Sequence, residues 1–307
     1  MSVEFTELLK FMPTTLGFIL LGLVLVLIAK ILKGLSTSYD IAEELTQKDN
    51  PAFGLSLAGY YAGVFAIIAG AIRHDGKSFQ YLTPEEFLVD AGWTFAYGLG
   101  GIILLNVARK VVDKLILPGF DVTKEIIVDR NSGAGAVEFG SYFASGLIIA
   151  GSITGDLPED IDEILGREVH AWEEPLMAIV FFAIAQVILI VYTRFYEATA
   201  SFDVLDEIER DNVPVGVALG GNLIAIALVM LRAIGGEFHG WEESLILFLV
   251  DAVFGFFVFF ALRVMVDRIF LPGSRLEEEI RRDRNINAAY IECVMLIGGA
   301  ALIFYAA

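Results

Sequence analysis

Long uncharged stretches recur along the chain at intervals that suit membrane-spanning helices. Six stretches carry no charged residue and two more carry one carboxylate each: Phe11–Ala29, Pro51–Ile72, Ala91–Ala108, Phe139–Gly155, Pro175–Thr193, Asn212–Leu231, Ser244–Leu262 and Asn285–Ala307. A helix needs about 20 mostly apolar residues to cross the hydrocarbon core of a bilayer. The pattern therefore predicts an all-α polytopic transmembrane protein with eight helices.

A short motif repeats before every second predicted helix. Its asparagines are 81, 81 and 73 residues apart, and in three copies glycines follow four and nine residues later. Aspartate precedes the asparagine in copies one and three, and arginine precedes it in copies two and four. The motif residues are Asp49, Asn50, Gly54 and Gly59; Asn131, Gly135 and Gly140; Asp211, Asn212, Gly216 and Gly221; and Asn285. An acidic-apolar pair lies upstream of each asparagine, for example Glu44-Leu45.

A second, longer repeat divides the chain into halves. Leu-Pro-Gly occurs at 117–119 and at 271–273, and Arg109 and Asp113 recur as Arg263 and Asp267, all 154 residues apart. We therefore predict two four-helix domains, residues 1–160 and 161–307, each of them a duplicated hairpin. Parallel repeats of this kind imply a pseudo-twofold axis along the membrane normal.

These motifs resemble the YjfL family of bacterial inner-membrane proteins, which carry a domain of unknown function (number 350). The resemblance lies in Asp-Asn-x-x-x-Gly-x-x-x-x-Gly, which opens an apolar helix after a short acidic segment. It covers nearly the whole chain as two tandem copies, although arginine replaces the aspartate in the second part of each half. The resemblance implies a multi-pass inner-membrane protein and implies no activity.

Positive charge is distributed unequally between the two sides of the predicted helices. The loops after helices one, three, five and seven share 16 lysines and arginines, whereas the other side has five. Cytoplasmic loops are enriched in these residues. We therefore expect a bacterial inner-membrane protein with both termini outside the cytoplasm.

Composition narrows the classes of function. The chain is 56% hydrophobic and has a net charge of −18, which disfavours nucleic acid because phosphate binding needs a basic surface. The single cysteine, Cys293, allows no intrachain disulfide. We find no nucleophile–base arrangement, phosphate-binding loop or dense metal cluster, so we expect neither an enzyme nor a cofactor. The expected partners are the lipid bilayer and either further copies of the chain or a cytoplasmic protein.

The motif residues have a structural interpretation and a functional alternative. Small residues let helices approach closely in lipid, so the six glycines favour helix packing over an ion path along exposed backbone. Asparagine and aspartate are preferred N-caps, which favours capping by the six polar motif residues. Four helix N-termini on one side could instead hold an anion.

Two carboxylates inside predicted helices are the sharpest functional signal. Glu138 and Glu292 each lie seven residues after a motif asparagine, about 10 Å into the helix, where copies one and three have Leu57 and Leu219. Buried charges in a membrane mark ion or proton pathways, or else bond to a neighbouring helix. We expect them to line a small-ion or proton site near the interface between the domains. The alternative function is a non-transporting membrane scaffold or stress-response partner.

A repeated outer segment suggests a weaker alternative. His170 and His239 each stand two residues before a tryptophan and a pair of glutamates. Histidines with carboxylates could ligate a divalent metal. The preferred interpretation is a tryptophan at the membrane interface followed by an acidic first helical turn.

The charge bias predicts the topology. A reporter fused after Ala307 should report the exterior, and a cysteine placed near Lys124 should react only with reagents that reach the cytoplasm. A cytoplasmic C-terminus would contradict both the helix count and the orientation of the repeats.

Overall fold

The computed structural model describes residues 3–72, 82–116, 119, 121–154, 162, 166–168, 170, 172–236, 238–270 and 273–306. Its helices are α1 Val3–Leu35, α2 Ile41–Thr46, α3 Pro51–Ile72, α4 Pro84–Leu115, α5 Val122–Ile127, α6 Ser132–Thr154, α7 Glu173–Thr199, α8 Val204–Glu209, α9 Val213–Ile234, α10 Trp241–Met265, α11 Leu276–Arg281 and α12 Ile286–Ala306. A π-helical turn, Val266–Phe270, extends α10.

The predicted all-helical membrane architecture is confirmed. Eight of these helices, α1, α3, α4, α6, α7, α9, α10 and α12, are long and apolar enough to cross a membrane. The four others have six residues each and carry the acidic segments. The predicted domain boundary at 160 and 161 lies outside the described residues, and the pseudo-twofold axis stays a prediction.

Four of the long helices form a central row. Helix α3 packs on α6, α6 on α9, and α9 on α12, so the row follows the order of the chain. The other long helices cover it: α4 contacts α3 and α6, α7 contacts α6 and α9, and α10 contacts α9 and α12. Because α6 and α9 have neighbours on both sides, they are far more buried than α3 and α12 at the ends of the row.

Glycines allow the helices of the row to touch through their backbones. A Cβ added at Gly135 would lie 2.5 Å from the Ala52 carbonyl oxygen, closer than real Cβ contacts. The same close approach to the backbone of the neighbouring row helix occurs at Gly59, Gly140 and Gly216, and at Gly221 the Cys293 side chain of α12 fills the space. Five of the motif glycines thus lie where neighbouring row helices come closest. Gly54 makes no such contact within the chain: an added Cβ would meet nothing within 4 Å, because no earlier row helix packs on α3.

The short helices begin where aspartates cap them. The carboxylates of Asp40, Asp121 and Asp203 accept hydrogen bonds from backbone amides in the first turns of α2, α5 and α8. Such bonds satisfy amides that have no partner within the helix. In the fourth copy Arg275 stands at this position and forms no side-chain cap.

A left-handed residue turns the chain from each short helix into the row. Asp49, Arg130, Asp211 and Arg284, directly before the four motif asparagines, have φ between 46° and 54°. Residues other than glycine rarely adopt this conformation, which is held only where surrounding contacts compensate for its strain. The compensating contacts come from the asparagine that follows.

Each motif asparagine closes a clasp on the short helix before it. The backbone amide of Asn131 donates to the Glu125 carbonyl, and its side-chain Nδ2 donates to the Glu125 carboxylate at 3.0 Å. The same pair of bonds joins Asn50 to Glu44, Asn212 to Glu207 and Asn285 to Glu279. We call this two-point contact the asparagine–glutamate clasp.

Two of the clasps, at Glu44 and Glu279, favour the charged form of the carboxylate. Burial alone raises the pKa of Glu44, but hydrogen bonds from Lys48 and Asn50 outweigh it, so the pKa lies below its ordinary value of 4.5. Hydrogen bonds from Asn285 and Ser274 likewise lower the pKa of Glu279. Since the folded pKa values of Glu44 and Glu279 are depressed, these two clasps stabilise the fold fully above pH 4.5 and weaken as acid protonates the two carboxylates.

The second Nδ2 hydrogen of the asparagine joins one repeat to the next. Asn50 donates to the Ile126 carbonyl at 2.9 Å, Asn131 to the Ile208 carbonyl at 2.7 Å, and Asn212 to the Arg281 carbonyl at 2.9 Å. These bonds place the N-termini of the row helices at one end of the bundle. The row helices are therefore parallel, as the repeats predict.

The predicted capping role holds for three asparagines. The Oδ1 atoms of Asn50, Asn131 and Asn285 accept hydrogen bonds from amides of their own helices. Asn212 occupies the N-cap position of α9 without a side-chain cap, so the prediction is wrong for it.

The aspartates of the motif also depart from the capping prediction. Asp49 and Asp211 stand one residue before the caps, in the left-handed turn. Asp211 instead accepts a hydrogen bond from the Gly133 amide of the preceding repeat at 3.2 Å. Its carboxylate therefore strengthens the contact between repeats two and three.

Removal of one clasp should measure its contribution. We expect Asn131→Ala to lower the free energy of unfolding by about 2–4 kcal/mol, because it removes a cap and hydrogen bonds to a buried carboxylate and a carbonyl. Asn285→Ala is the matched control, since Asn285 has a clasp and a cap but no following repeat, and should lose about 1–2 kcal/mol. Equal losses in a denaturant titration would contradict a role in joining repeats.

Candidate intramembrane ion-pair site

Glu138 lies inside the first half of the bundle with only 2% of its surface exposed. It is on α6, seven residues after the Asn131 cap. The Ser56 hydroxyl on α3 donates to its Oε2, and Arg109 Nη2 on α4 lies 3.5 Å from its Oε1. Three helices thus contribute to one polar cluster.

Glu292 has the corresponding environment in the second half. It lies on α12 with no exposed surface, and Arg263 Nε on α10 is 2.8 Å from its Oε1. Asn222 Nδ2 on α9 donates to the same oxygen at 3.3 Å. No protein group in the described part of the chain donates a hydrogen bond to Oε2 of Glu292.

Further polar and aromatic groups surround Arg263. Its guanidinium lies 4.6 Å from the centre of the Tyr196 ring, a cation–π contact. The Tyr192 hydroxyl donates to Asn222 Oδ1 at 2.7 Å. A chain of hydrogen bonds therefore leads from α7 through Asn222 to the Glu292 carboxylate.

The fold explains why each arginine meets a glutamate. An outer helix covers two row helices, so a side chain on α4 reaches both α3 and α6, and one on α10 reaches both α9 and α12. A buried carboxylate in a medium of low dielectric needs a partner of opposite charge. The arginine supplies that charge.

Two arginines that the charge count places in loops lie inside membrane-spanning helices. The 16 lysines and arginines counted in the loops of one side include Arg109 and Arg263, but these two lie within α4 and α10 with side chains only 15% and 16% exposed. The sequence held a signal for the pairing, because both the arginines and the glutamates recur 154 residues apart. The polar partners of each glutamate come from its own half, and the expected position near the domain interface stays a prediction.

Lys33, which is also among the 16 positive residues counted in the loops, is a buried cation within a helix. It is at the end of α1 and is 1% exposed. Its Nζ donates to the Tyr142 hydroxyl at 2.6 Å and lies 5.0 Å from the centre of the Tyr60 ring. Nothing in the sequence around Lys33 distinguishes it from the neighbouring lysines of the helix end.

The two histidines make local contacts within their own segments. The His170 ring stacks on Trp172, and the His239 backbone amide donates to the Ser244 hydroxyl. Among the residues that the structure describes, no three histidine, cysteine, aspartate or glutamate side chains group so as to hold a metal ion. The metal hypothesis therefore gains no support.

Comparison with known proteins agrees with the repeat and the membrane architecture. The family described as Domain of Unknown Function (DUF350) matches residues 6–153 and 170–307. The chain belongs to this family and contains two tandem copies of its domain, which confirms the resemblance seen in the motifs.

A relative in Bacillus subtilis (strain 168), the UPF0719 transmembrane protein YshE, is 25% identical over 128 residues. The aligned part covers 41% of this chain and 90% of the relative. No solved structure matches the chain. The relative is thus similar to a stretch shorter than one of the two domains.

Removing one partner of a buried ion pair should be costly. We expect Arg263→Met to lower the free energy of unfolding by about 3–5 kcal/mol, because Glu292 would stay buried without its counter-charge. Arg263→Met combined with Glu292→Leu should recover most of the loss, since leucine occupies the equivalent positions 57 and 219. Equal losses in the single and double variants, measured by denaturant titration in detergent, would argue against pairing.

Proposed function

We propose that the chain binds and passes protons through the bilayer at Glu138 and Glu292. The observation that carries the proposal is the buried carboxylate of Glu292, whose Oε2 has no hydrogen-bond donor among the described residues while Oε1 is held by Arg263 and Asn222. Such an oxygen can take up a proton without breaking an existing hydrogen bond. Intramembrane carboxylates are the usual carriers in proton relays.

The arginines favour a proton over a metal cation. Arg263 already supplies a positive charge 2.8 Å from the Glu292 carboxylate, and a metal ion in the same cluster would be repelled by it. A proton can bind directly to the free oxygen, which leaves a neutral acid beside a charged guanidinium. Its release restores the ion pair.

The polar groups around each glutamate support transfer along the bundle. Tyr192 and Asn222 extend the polar cluster of Glu292, and Ser56 extends that of Glu138. All these partners lie between helices of the row and their cover. We propose the bacterial inner membrane as the location, with both termini outside, because the charge bias of the loops favours it.

The same ion pairs favour a second candidate function. An arginine and a glutamate that neutralise each other's charge can hold two helices together without taking part in transport. The protein would then be a non-transporting membrane scaffold or stress-response partner. The acidic first turns of the short helices, such as Glu277 and Glu278 of α11, would offer a cytoplasmic docking surface.

The two candidates differ in their response to glutamine. We expect Glu138→Gln with Glu292→Gln to abolish proton flux, because glutamine keeps the size of the side chain but removes the titratable group. The measurement is acidification of proteoliposomes that contain a pH-sensitive dye, driven by a potassium diffusion potential.

A matched control removes two charges outside the site. Glu242→Gln with Glu243→Gln changes two exposed residues at the outer end of α10 and should leave the flux unchanged. Flux that persists in the Glu138→Gln/Glu292→Gln protein would refute the proton site. A parent protein without flux would favour the scaffold.

A further inference from the structure

The central row ends without closing on itself. The row helices contact one another in chain order, and α3 and α12 stand at its two ends. Each inner contact uses one face of the earlier helix and another face of the later helix. We call these the exit face and the entry face.

The inner contacts define which positions form these faces. Gly135 and Gly216, four residues after their asparagines, pack on the backbone two residues after the preceding asparagine, at Ala52 and Gly133. Nine residues after its asparagine, Gly140 packs on Gly220, which lies eight residues after the next one. We call the number of residues after the motif asparagine the offset. The entry face therefore includes offsets 4 and 8, and the exit face includes offsets 2 and 9.

A second pair of offsets continues both faces along the helix. Gly146, fifteen residues after Asn131, packs on the Gly63 backbone, thirteen residues after Asn50. Offset 15 thus belongs to the entry face and offset 13 to the exit face. The same offsets can be read on the end helices, where no neighbouring row helix covers them.

On α3 the entry face is open and contains mostly small residues. Gly54 has room around it, Ala58 is exposed, and Phe65 is 55% exposed. In repeat two both of these positions are glycines, Gly135 and Gly146, in backbone contact with the preceding helix, and in repeat three the position of Gly54 is Gly216, which makes the same contact. In α3 the glycine at offset 4 is present without that neighbour.

On α12 the exit face is open in the same way. Asn287 is exposed, Val294 is 68% exposed, and Gly298 has no atom within 4 Å of an added Cβ. These residues occupy offsets 2, 9 and 13 after Asn285. The faces left open at the two ends are thus the two halves of the contact that joins successive repeats.

The hydrogen bonds between repeats also stop at both ends. The other three motif asparagines donate to a carbonyl of the next repeat, but the described side-chain bond from Asn285 Nδ2 goes only to Glu279. At the other end Leu45 corresponds to Ile126 and Ile208, whose carbonyls accept those bonds. Asp49 likewise corresponds to Asp211, which accepts the Gly133 amide of an earlier repeat.

The cover helices show the same interruption. Helices α4, α7 and α10 each contact the row helix of their own repeat and that of the preceding one. Helix α1 has no preceding repeat and is the least buried of the eight long helices. Its exposed residues include Leu20, Leu23, Leu27 and Ile31.

We propose that a second copy of the chain occupies this surface, with α12 of one copy packed on α3 of the next as a continuation of the row. The contact is heterologous, because the entry face of one copy meets the exit face of another. Asn285 then donates to the Leu45 carbonyl of the second copy. Helix α1 of that copy covers the new contact.

The side chains at the two ends fit this contact. Val294 replaces the glycine of the inner contacts and meets the small Ala58, whereas Phe65 replaces a glycine and meets Gly298. A large residue thus faces a small one in both pairs of positions. Small residues at such positions allow close packing between helices in lipid.

Cross-linking tests the register of the contact. In a Cys293→Ala background, Ala58→Cys with Val294→Cys should give disulfide-linked dimers in membranes, because offsets 8 and 9 adjoin in the inner contacts. Alanine at 293 is compatible with the fold, since the equivalent position 58 is alanine. The control pair, Ala58→Cys with Val253→Cys, places the second cysteine on the exposed surface of α10 and should give none.

Complementation tests whether the contact is heterologous. Gly54→Leu blocks only the entry face and Val294→Trp only the exit face, and both positions have room in the single copy. Each variant alone should require a roughly tenfold higher protein-to-lipid ratio for half-maximal energy transfer between labelled copies. A mixture of the two retains one intact contact per pair and should associate like the parent.

The opposite results would overturn the proposal. A cross-link within one chain would mean that α3 and α12 of the same copy close the row. Absence of cross-linked dimers, or a mixture that associates no better than either variant alone, would exclude the heterologous contact. None of these outcomes depends on whether the protein conducts protons.

Discussion

The asparagine–glutamate clasp is the interaction on which the rest of the bundle depends. One amide side chain has one acceptor and two donor hydrogens, and in Asn50 and Asn131 all three are used. The acceptor caps the row helix, one donor holds the short acidic helix, and the other reaches the next repeat. A single residue thereby fixes where the helix begins, how the chain enters it and where the neighbouring repeat lies.

The hydrogen bonds of the clasps lie at one end of the bundle, so within the membrane the row helices are held together by close packing. Lipid provides no hydrophobic force between helices, so the row relies on backbone contact through glycines such as Gly135 and Gly216. Close contact excludes large side chains from the faces where glycines bring the row helices together, and the basic partners of the buried glutamates reach the row from the covering helices. Arg109 and Arg263 therefore stand on α4 and α10, opposite glutamates on α6 and α12.

Sequence patterns predict features that repeat along the chain and miss contacts that join distant residues. The eight spans, the four parallel copies and the packing of Gly59 and Gly140 follow from local periodicity and spacing. The pairing of Arg109 with Glu138 joins two helices across 29 positions, and a charge count places the arginine in a loop. Asn212 has the same motif as Asn50 but forms no side-chain cap, a difference in local geometry that spacing does not reveal.

The distribution of charge among the repeats follows from the same electrostatics. Glu138 and Glu292 occur in copies two and four, where the covering helix carries arginine. In copies one and three the corresponding residues are Leu57 and Leu219, and 81 residues to either side of Arg109 the covering helices have Ile28 and Ile190. A charge buried without its partner costs several kcal/mol, so the arginine and the glutamate must be present or absent together. Proton transfer and helix locking are both compatible with the pair, and the Oε2 of Glu292, which has no hydrogen-bond donor among the described residues, favours a carrier over a lock.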